Sequence, residues 1–294
     1  MRVTNSMTVV NFMRNLSTNE RSLDKYQSQL STGHRINKPS DDPVGVINAL
    51  RYSTNINESE EYINNIDTAR DFLNTTDSSL GNVSEILQRA NELLVQGITG
   101  TNSDTSQESI ATEIRQLAEQ IKVIANTTYG TKYVYGGTNV TEEPFTSTGW
   151  VGNDKKLTLE IGVGVTVAVN SNMGDFFYNT DPANPGAYQL LNDIADNLDS
   201  GDTTALNTNL TQLQTSLDNL NQERAIIGSK VNRLDLQENR LETTSANYTE
   251  LLSKAQDADM AEVIMNLKMQ ESVYKASLEA GSRIILPTLA DYLS

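Results

Sequence analysis

The chain has 294 residues and a formal net charge of −16, with only 37% apolar and 6% aromatic residues, lean for a compact globule of this size. It holds no cysteine and one histidine, His34, which excludes disulfides, thiolate metal sites, cysteine nucleophiles and multi-histidine metal centres. The acidic balance argues against a nucleic-acid binder, which needs a basic face.

The N-terminal MRVTNSMTVVNFMRNL does not read as a cleaved secretory leader, because Asn5, Ser6, Thr8, Asn11 and Arg14 interrupt any apolar centre. It carries a heptad instead. Val9, Leu16, Leu23 and Leu30 recur every seventh residue, with Phe12 and Tyr26 three residues after the first and third. His34, in Gly33-His-Arg-Ile, is expected in an exposed loop rather than as a general base. Pro39-Ser-Asp-Asp-Pro43 predicts a helix start: Asp42 caps the first free amides and Pro43 suits the first helical position. Asp41 and Asp42 are a conceivable cation site, but capping accounts for them better.

A second seam follows in Ile66, Leu73, Leu80, Leu87 and Leu94, with Val83 and Ala90 beside it and a stop at Gly97-Ile-Thr-Gly100. A third amphipathic segment places Ile110, Ile114, Leu117, Ile121 and Ile124 on one side and ends before Gly130. From Tyr129 to Thr180 the texture turns to Gly, Thr, Val and Tyr. Leu157–Ile161 and Val163–Val169 alternate as strands do, and Asn153-Asp154 and Tyr135-Gly-Gly137 read as turns. Gly162-Val-Gly164 resembles the opening of a nucleotide loop, but Val167 stands where the third glycine belongs, so strand is the better reading. Asp181–Gly186 reads as a loop and Tyr188–Leu198 as a short helix. Residues 141–220 hold eleven acidic residues against two lysines, either a plain solvated surface or a source of repulsion between like subunits.

The longest periodic run is Leu206, Leu213, Leu220, Ile227, Leu234, Leu241 and Tyr248. Leu210, Leu217, Val231 and Leu252 occupy the companion row, which Arg224, Glu238 and Ser245 interrupt. This predicts a helix of about 45–50 residues, roughly 70 Å long. At the C-terminal end Met260, Leu267 and Tyr274 are spaced by seven, Ile264, Leu278 and Ile285 lie on a neighbouring row, and Ile284–Leu289 is apolar. The terminal stripes can close on each other or on the ends of other copies, and pattern alone leaves both open. No run is long enough for a membrane-spanning helix; the longest weakly polar one, Ile161–Val169, is about half the necessary length.

The expected fold is mainly α: an elongated antiparallel coiled-coil helical bundle with a small β-rich insertion domain and helical terminal arms. The arms comprise 1–42 and 256–294, the rod 43–132 and 187–255, and the outer β-rich domain 133–186. Because narrow Asn- and Ser-rich helices are marginal in water, the arms are expected to be disordered in a free monomer. No catalytic, cofactor or metal residue emerges. An enzyme or adhesin on a coiled-coil stalk would need a carboxylate pair such as Glu142, Glu143 or Glu160, and an insertion of roughly fifty residues is small for a substrate cleft. The residues expected to form an assembly interface are Val9, Leu16, Leu23, Leu30, Met260, Leu267, Tyr274, Leu278 and Ile285.

Ser31-Thr-Gly-His-Arg-Ile-Asn-Lys-Pro-Ser-Asp-Asp-Pro-Val-Gly45 resembles the N-terminal signature of flagellin-related proteins, and its Pro-Ser-Asp-Asp-Pro form is similar to the hook–filament junction branch of that family. Tyr133-Val-Tyr-Gly-Gly-Thr138 with Pro144-Phe145, and the tail from Asp257 through Met269-Gln270, resemble the same branch. Leu289-Ala-Asp-Tyr-Leu293 lacks the leucine-arginine finish typical of filament subunits. The resemblance covers both ends and the helical hairpin, about two thirds of the chain. It implies a structural, non-enzymatic subunit of the bacterial flagellum, exported unfolded through the type III apparatus without a cleaved leader. It implies as partners other copies of the chain, hook-associated protein 1 on the hook side, flagellin on the filament side and an export chaperone for the C-terminal arm, with no nucleic acid and no membrane insertion. A minor flagellin building the filament itself is the alternative within the family.

Overall fold

A computed structural model describes residues 5–99 and 104–285, with side chains from 7 to 99 and 106 to 282. The described elements run α1 (Asn5–Thr32), α2 (Pro43–Ile98), α3 (Asp104–Ala125), β1 (Thr128–Tyr129), β2 (Lys132–Tyr133), β3 (Phe145–Thr146), β4 (Gly149–Trp150), β5 (Thr158–Gly162), β6 (Val165–Ala168), α4 (Gly174–Phe177), α5 (Ala187–Ser200), α6 (Thr203–Gln256) and α7 (Met260–Ile285). The chain divides into two compact units: unit 1 is Met1–Glu58 with Thr243–Ser294, and unit 2 is Ser59–Glu242. The long helices α2 and α6 contribute to both.

In unit 2 the two central heptads meet. Ile66, Leu73, Leu80, Leu87 and Leu94 of α2 are fully buried, as are Leu206, Leu213, Leu220 and Leu234 of α6. The helices run antiparallel, since rising numbers on one pair with falling numbers on the other: Asp77 accepts from Arg224 Nε at 2.9 Å, and Asp235 from Arg70 Nε at 3.1 Å. α3 lays Ile110, Ala111, Ile114, Ala118 and Ile121 into the same core, and α5 adds Leu190, Leu191, Ile194 and Leu198. Arg115 on α3 holds Asp196 and Asp199 of α5 at 2.7 and 2.6 Å, in an exposed cluster that orients the pair more than it stabilises it. Four stripes sharing one core therefore bury what a two-helix seam leaves wet.

The insertion consists of three separate antiparallel hairpins, β1–β2, β3–β4 and β5–β6. Its core is aromatic. Tyr135 packs edge-on against Phe177 at 4.8 Å, and Phe145 against Tyr188 at 5.1 Å. Two expectations change here. The second strand begins at Val165, not Val163, because Val163-Gly164 forms the hairpin turn with Val163 exposed, while Gly162 ends β5 opposite Val165. Tyr135 does more than enter a turn: its ring is buried and its hydroxyl bonds Ser79 and the Thr76 carbonyl, which anchors the insertion on α2. Burial raises the Tyr135 pKa strongly, so the phenol stays neutral well into alkaline solution.

Unit 1 is a pairing of helices. α1 and α7 pack antiparallel: Asn19 Nδ2 donates to Ser277 Oγ at 3.0 Å, and Gln270 Nε2 to the Asn19 carbonyl at 3.3 Å. A Cβ on Gly281 would run into the Phe12 ring, so the small residue sets the close approach. Tyr52 of α2 and Tyr248 of α6 stack with ring centroids 6.2 Å apart.

Candidate assembly surface

The residues Ser31–Gly45 build a joint. Asp42 Oδ1 accepts the Gly45 amide at 2.9 Å, which caps α2 as expected, and this bond chiefly holds its carboxyl below the usual range. Asp41 accepts the amides of Lys38 and Asn37, which lower its pKa in the same way and close the turn before the helix. Both carboxylates are thus occupied by backbone. Gly45 sits where a Cβ would meet Ile36 and Asp42.

His34 does not stand in a free loop. The segment Gly33–Arg35 lies antiparallel to Gln256–Ala258, with Arg35 N donating to the Gln256 carbonyl at 2.7 Å and Ala258 N to the Gly33 carbonyl at 2.9 Å. The His34 ring meets Asp257 Oδ1 at 3.1 Å, Ser253 donates to Asp257 Oδ2 at 2.5 Å, and Arg35 Nη2 reaches the Ala255 carbonyl at 2.9 Å. The α1–α2 and α6–α7 connections therefore clasp each other. The clasp was not legible, because its halves are more than two hundred residues apart and each reads as an ordinary helix break. The only local signals were Gly33 after α1 and the Asp257-Ala-Asp259 break, where Asp259 Oδ1 caps α7 through the Ala261 amide at 2.9 Å.

The expected interface residues fall into two groups. Val9, Leu16, Leu23 and Leu30 on α1 and Tyr274 on α7 are half-buried, and Leu267 is buried. Met260 and Leu278 are exposed. The side chain of Ile285 lies outside the described residues, as do all of Leu286–Leu289 and the Leu289–Leu293 ending. Ile264, on the neighbouring row, is exposed too, and the spacing of seven missed a further set: Met7, Val10 and Met13 on α1, Met265, Met269 and Val273 on α7, and Val44, Ile47 and Leu50 at the start of α2 are all exposed. Of nineteen exposed large hydrophobic residues among those described, thirteen are in unit 1. Charge divides the other way. Unit 1 has eleven basic and twelve acidic residues, unit 2 eleven and twenty-six. A near-neutral unit with many exposed apolar side chains is suited to association, and a strongly acidic one to solvent.

Of the carboxylates that a catalytic pair would draw on, Glu142 accepts from Asn139 at 2.9 Å, Glu160 of β5 accepts the Gly164 amide of its own hairpin at 3.3 Å, and Glu143 is exposed. Among the described residues no helix is long and apolar enough to cross a membrane.

The chain matches the family model of the bacterial flagellin N-terminal helical region over residues 3–140 and that of the bacterial flagellin C-terminal helical region over 210–285. It is 26% identical over 304 residues to flagellar hook-associated protein 3 of Escherichia coli K12, covering 95% of this chain and 96% of that one. It is 27% identical over 290 residues to flagellin of Bacillus subtilis 168, covering 94% of each. The crystal structure of the flagellar junction protein FlgL from Legionella pneumophila superposes with a TM-score of 0.58 at 14% identity, covering 73% of this chain and all of that one, a likeness of fold.

Proposed function

Because the chain belongs to the flagellin family of structural flagellar proteins, we propose that it joins the hook to the filament as an assembled ring of subunits, the role of a hook-associated protein 3. The observation that carries subunit assembly is the division of unit 1 from unit 2: the exposed apolar residues gather in the near-neutral unit and the charge in the other. The Pro39–Pro43 form of the N-terminal signature favours the junction over the filament. The equally extensive likeness to a Bacillus flagellin favours the second reading, a filament subunit.

On the junction reading the partners are further copies, hook-associated protein 1 below and flagellin above. An export chaperone holds the C-terminal arm, and the unfolded chain leaves through the type III apparatus uncleaved. The arms 1–42 and 256–294 order fully only on assembly. A two-helix pair with a half-wet seam is marginal alone, so limited proteolysis of the free monomer should leave a core near 43–255. Deleting the gene in the source cell tests the function. Intact hooks with flagellin shed into the medium are expected, and normal long filaments would overturn the junction role. No chemical step is assigned to the chain.

A further inference from the structure

Unit 1 carries two unlike apolar surfaces, and we propose that they meet between copies: the base of α2 receives the outer face of α7 from a second copy of this chain. The inference rests on the assembly reading above and adds which faces touch. The first surface is Val44, Ile47 and Leu50, which are 69, 58 and 64% exposed and spaced by three, so they share one side of the first turns of α2. Beside them opens a cleft of about 320 Å³ with Ile36, Pro39, Val46 and Ala49 in its wall. The second surface is Met265, Met269 and Val273, which are 63, 57 and 42% exposed and spaced by four along α7. At 1.5 Å per residue the first stripe spans about 9 Å and the second about 12 Å, so their lengths match. Methionine side chains adapt to an irregular cleft. Both surfaces are bare in the same chain, so neither covers the other within one copy.

The exposed Met7, Val10 and Met13 of α1 are the rival occupant, and charge decides against them. Residues 35–51 carry Arg35, Lys38 and Arg51 against Asp41 and Asp42, a net charge of +1. Residues 257–279 carry five carboxylates against Lys268 and Lys275, opposite in sign. Residues 7–25 of α1 carry three basic and two acidic residues, the same sign as the α2 base. A contact between two different surfaces is heterologous, so it propagates into a ring or a helical array instead of stopping at a two-fold dimer. A junction ring needs that geometry.

The absence of cysteine makes the test clean. Flagella are isolated from cells whose only copy of the protein is the Ile47→Cys/Met269→Cys double variant, oxidised with copper phenanthroline and blotted from a non-reducing gel. A ladder of dimer and larger species is expected, collapsing on reduction and absent from either single variant. A second pair, Leu50→Cys with Met265→Cys, should give the same ladder should the first assemble poorly. Four results overturn the proposal: monomer alone although the variant is present in the flagella; monomer that has lost its free thiols, which means an intrachain bond; dimer from Met269→Cys by itself; or a ladder when Val10→Cys replaces Met269→Cys. Absence of the unaltered chain from isolated flagella overturns the assembly reading itself.

Discussion

The same seven-residue spacing has opposite outcomes in the two units. Leu73, Leu80 and Leu87 are fully buried in unit 2, whereas Leu16, Leu23 and Leu30, spaced just as regularly, stay half-buried in unit 1. The difference is the number of partners. In unit 2, α3 and α5 close over the α2–α6 seam and the aromatic insertion seals part of it. In unit 1, the described packing of α1 is against α7. A heptad shows that a helix has a side to bury; the elements that arrive to bury it lie elsewhere in the chain.

The most severe way to test that contrast is a change that blocks assembly and leaves the monomer alone. Leu278 is exposed, so Leu278→Asp should leave the melting temperature of the purified chain unchanged while incorporation into flagella and motility are lost, since a carboxylate buried at a copy–copy contact costs several kcal/mol, roughly. A lowered melting temperature would place Leu278 in the monomer core instead. Next in size, Leu80→Ala in the dry seam should destabilise unit 2 by about 3 kcal/mol in denaturant titration. Leu16→Ala in the wet seam should cost well under half of that, and equal losses would erase the contrast.

Smaller again is Tyr135→Phe, expected to cost about 1 kcal/mol through its bonds to Ser79 and Thr76. The phenol also supplies an alkaline signature. Its folded pKa lies above its unfolded value, so the folded chain holds the proton more tightly. Stability from this group is therefore intact below about pH 10 and declines above it. The Phe variant should lose that part of the decline in melts run from pH 9 to 11.5. The gentlest effect belongs to the helix cap. Asp42 has a lowered folded pKa, so its contribution is present above the unfolded value and is lost as pH falls through the folded one. The Gly45 amide shift in nitrogen–proton spectra should titrate with a midpoint below that of an ordinary aspartate carboxyl. A midpoint at or above that of an unstructured peptide carrying the same aspartate would mean that the cap does not form in solution.

Local chemistry by itself determined the limits of α2, while α6, at 54 residues, runs past the expected 45–50. Asp42 and Pro43 start α2 where expected, Gly97-Ile98 ends it, and Leu206 through Leu241 mark the buried side of α6 correctly. These features depend on residues within a few positions of one another, which is the range over which backbone hydrogen bonding and helical periodicity act. The run Val163–Val169 alternates alike in a strand and across its turn, and only the pairing of Gly162 with Val165 tells them apart. The clasp of His34 with Asp257, the anchoring of Tyr135 on α2 and the bareness of Met265, Met269, Ile47 and Leu50 were decided by tertiary structure alone. Each depends on which distant segment comes alongside, and a hydrophobic pattern records that a side chain needs cover without recording which surface supplies it.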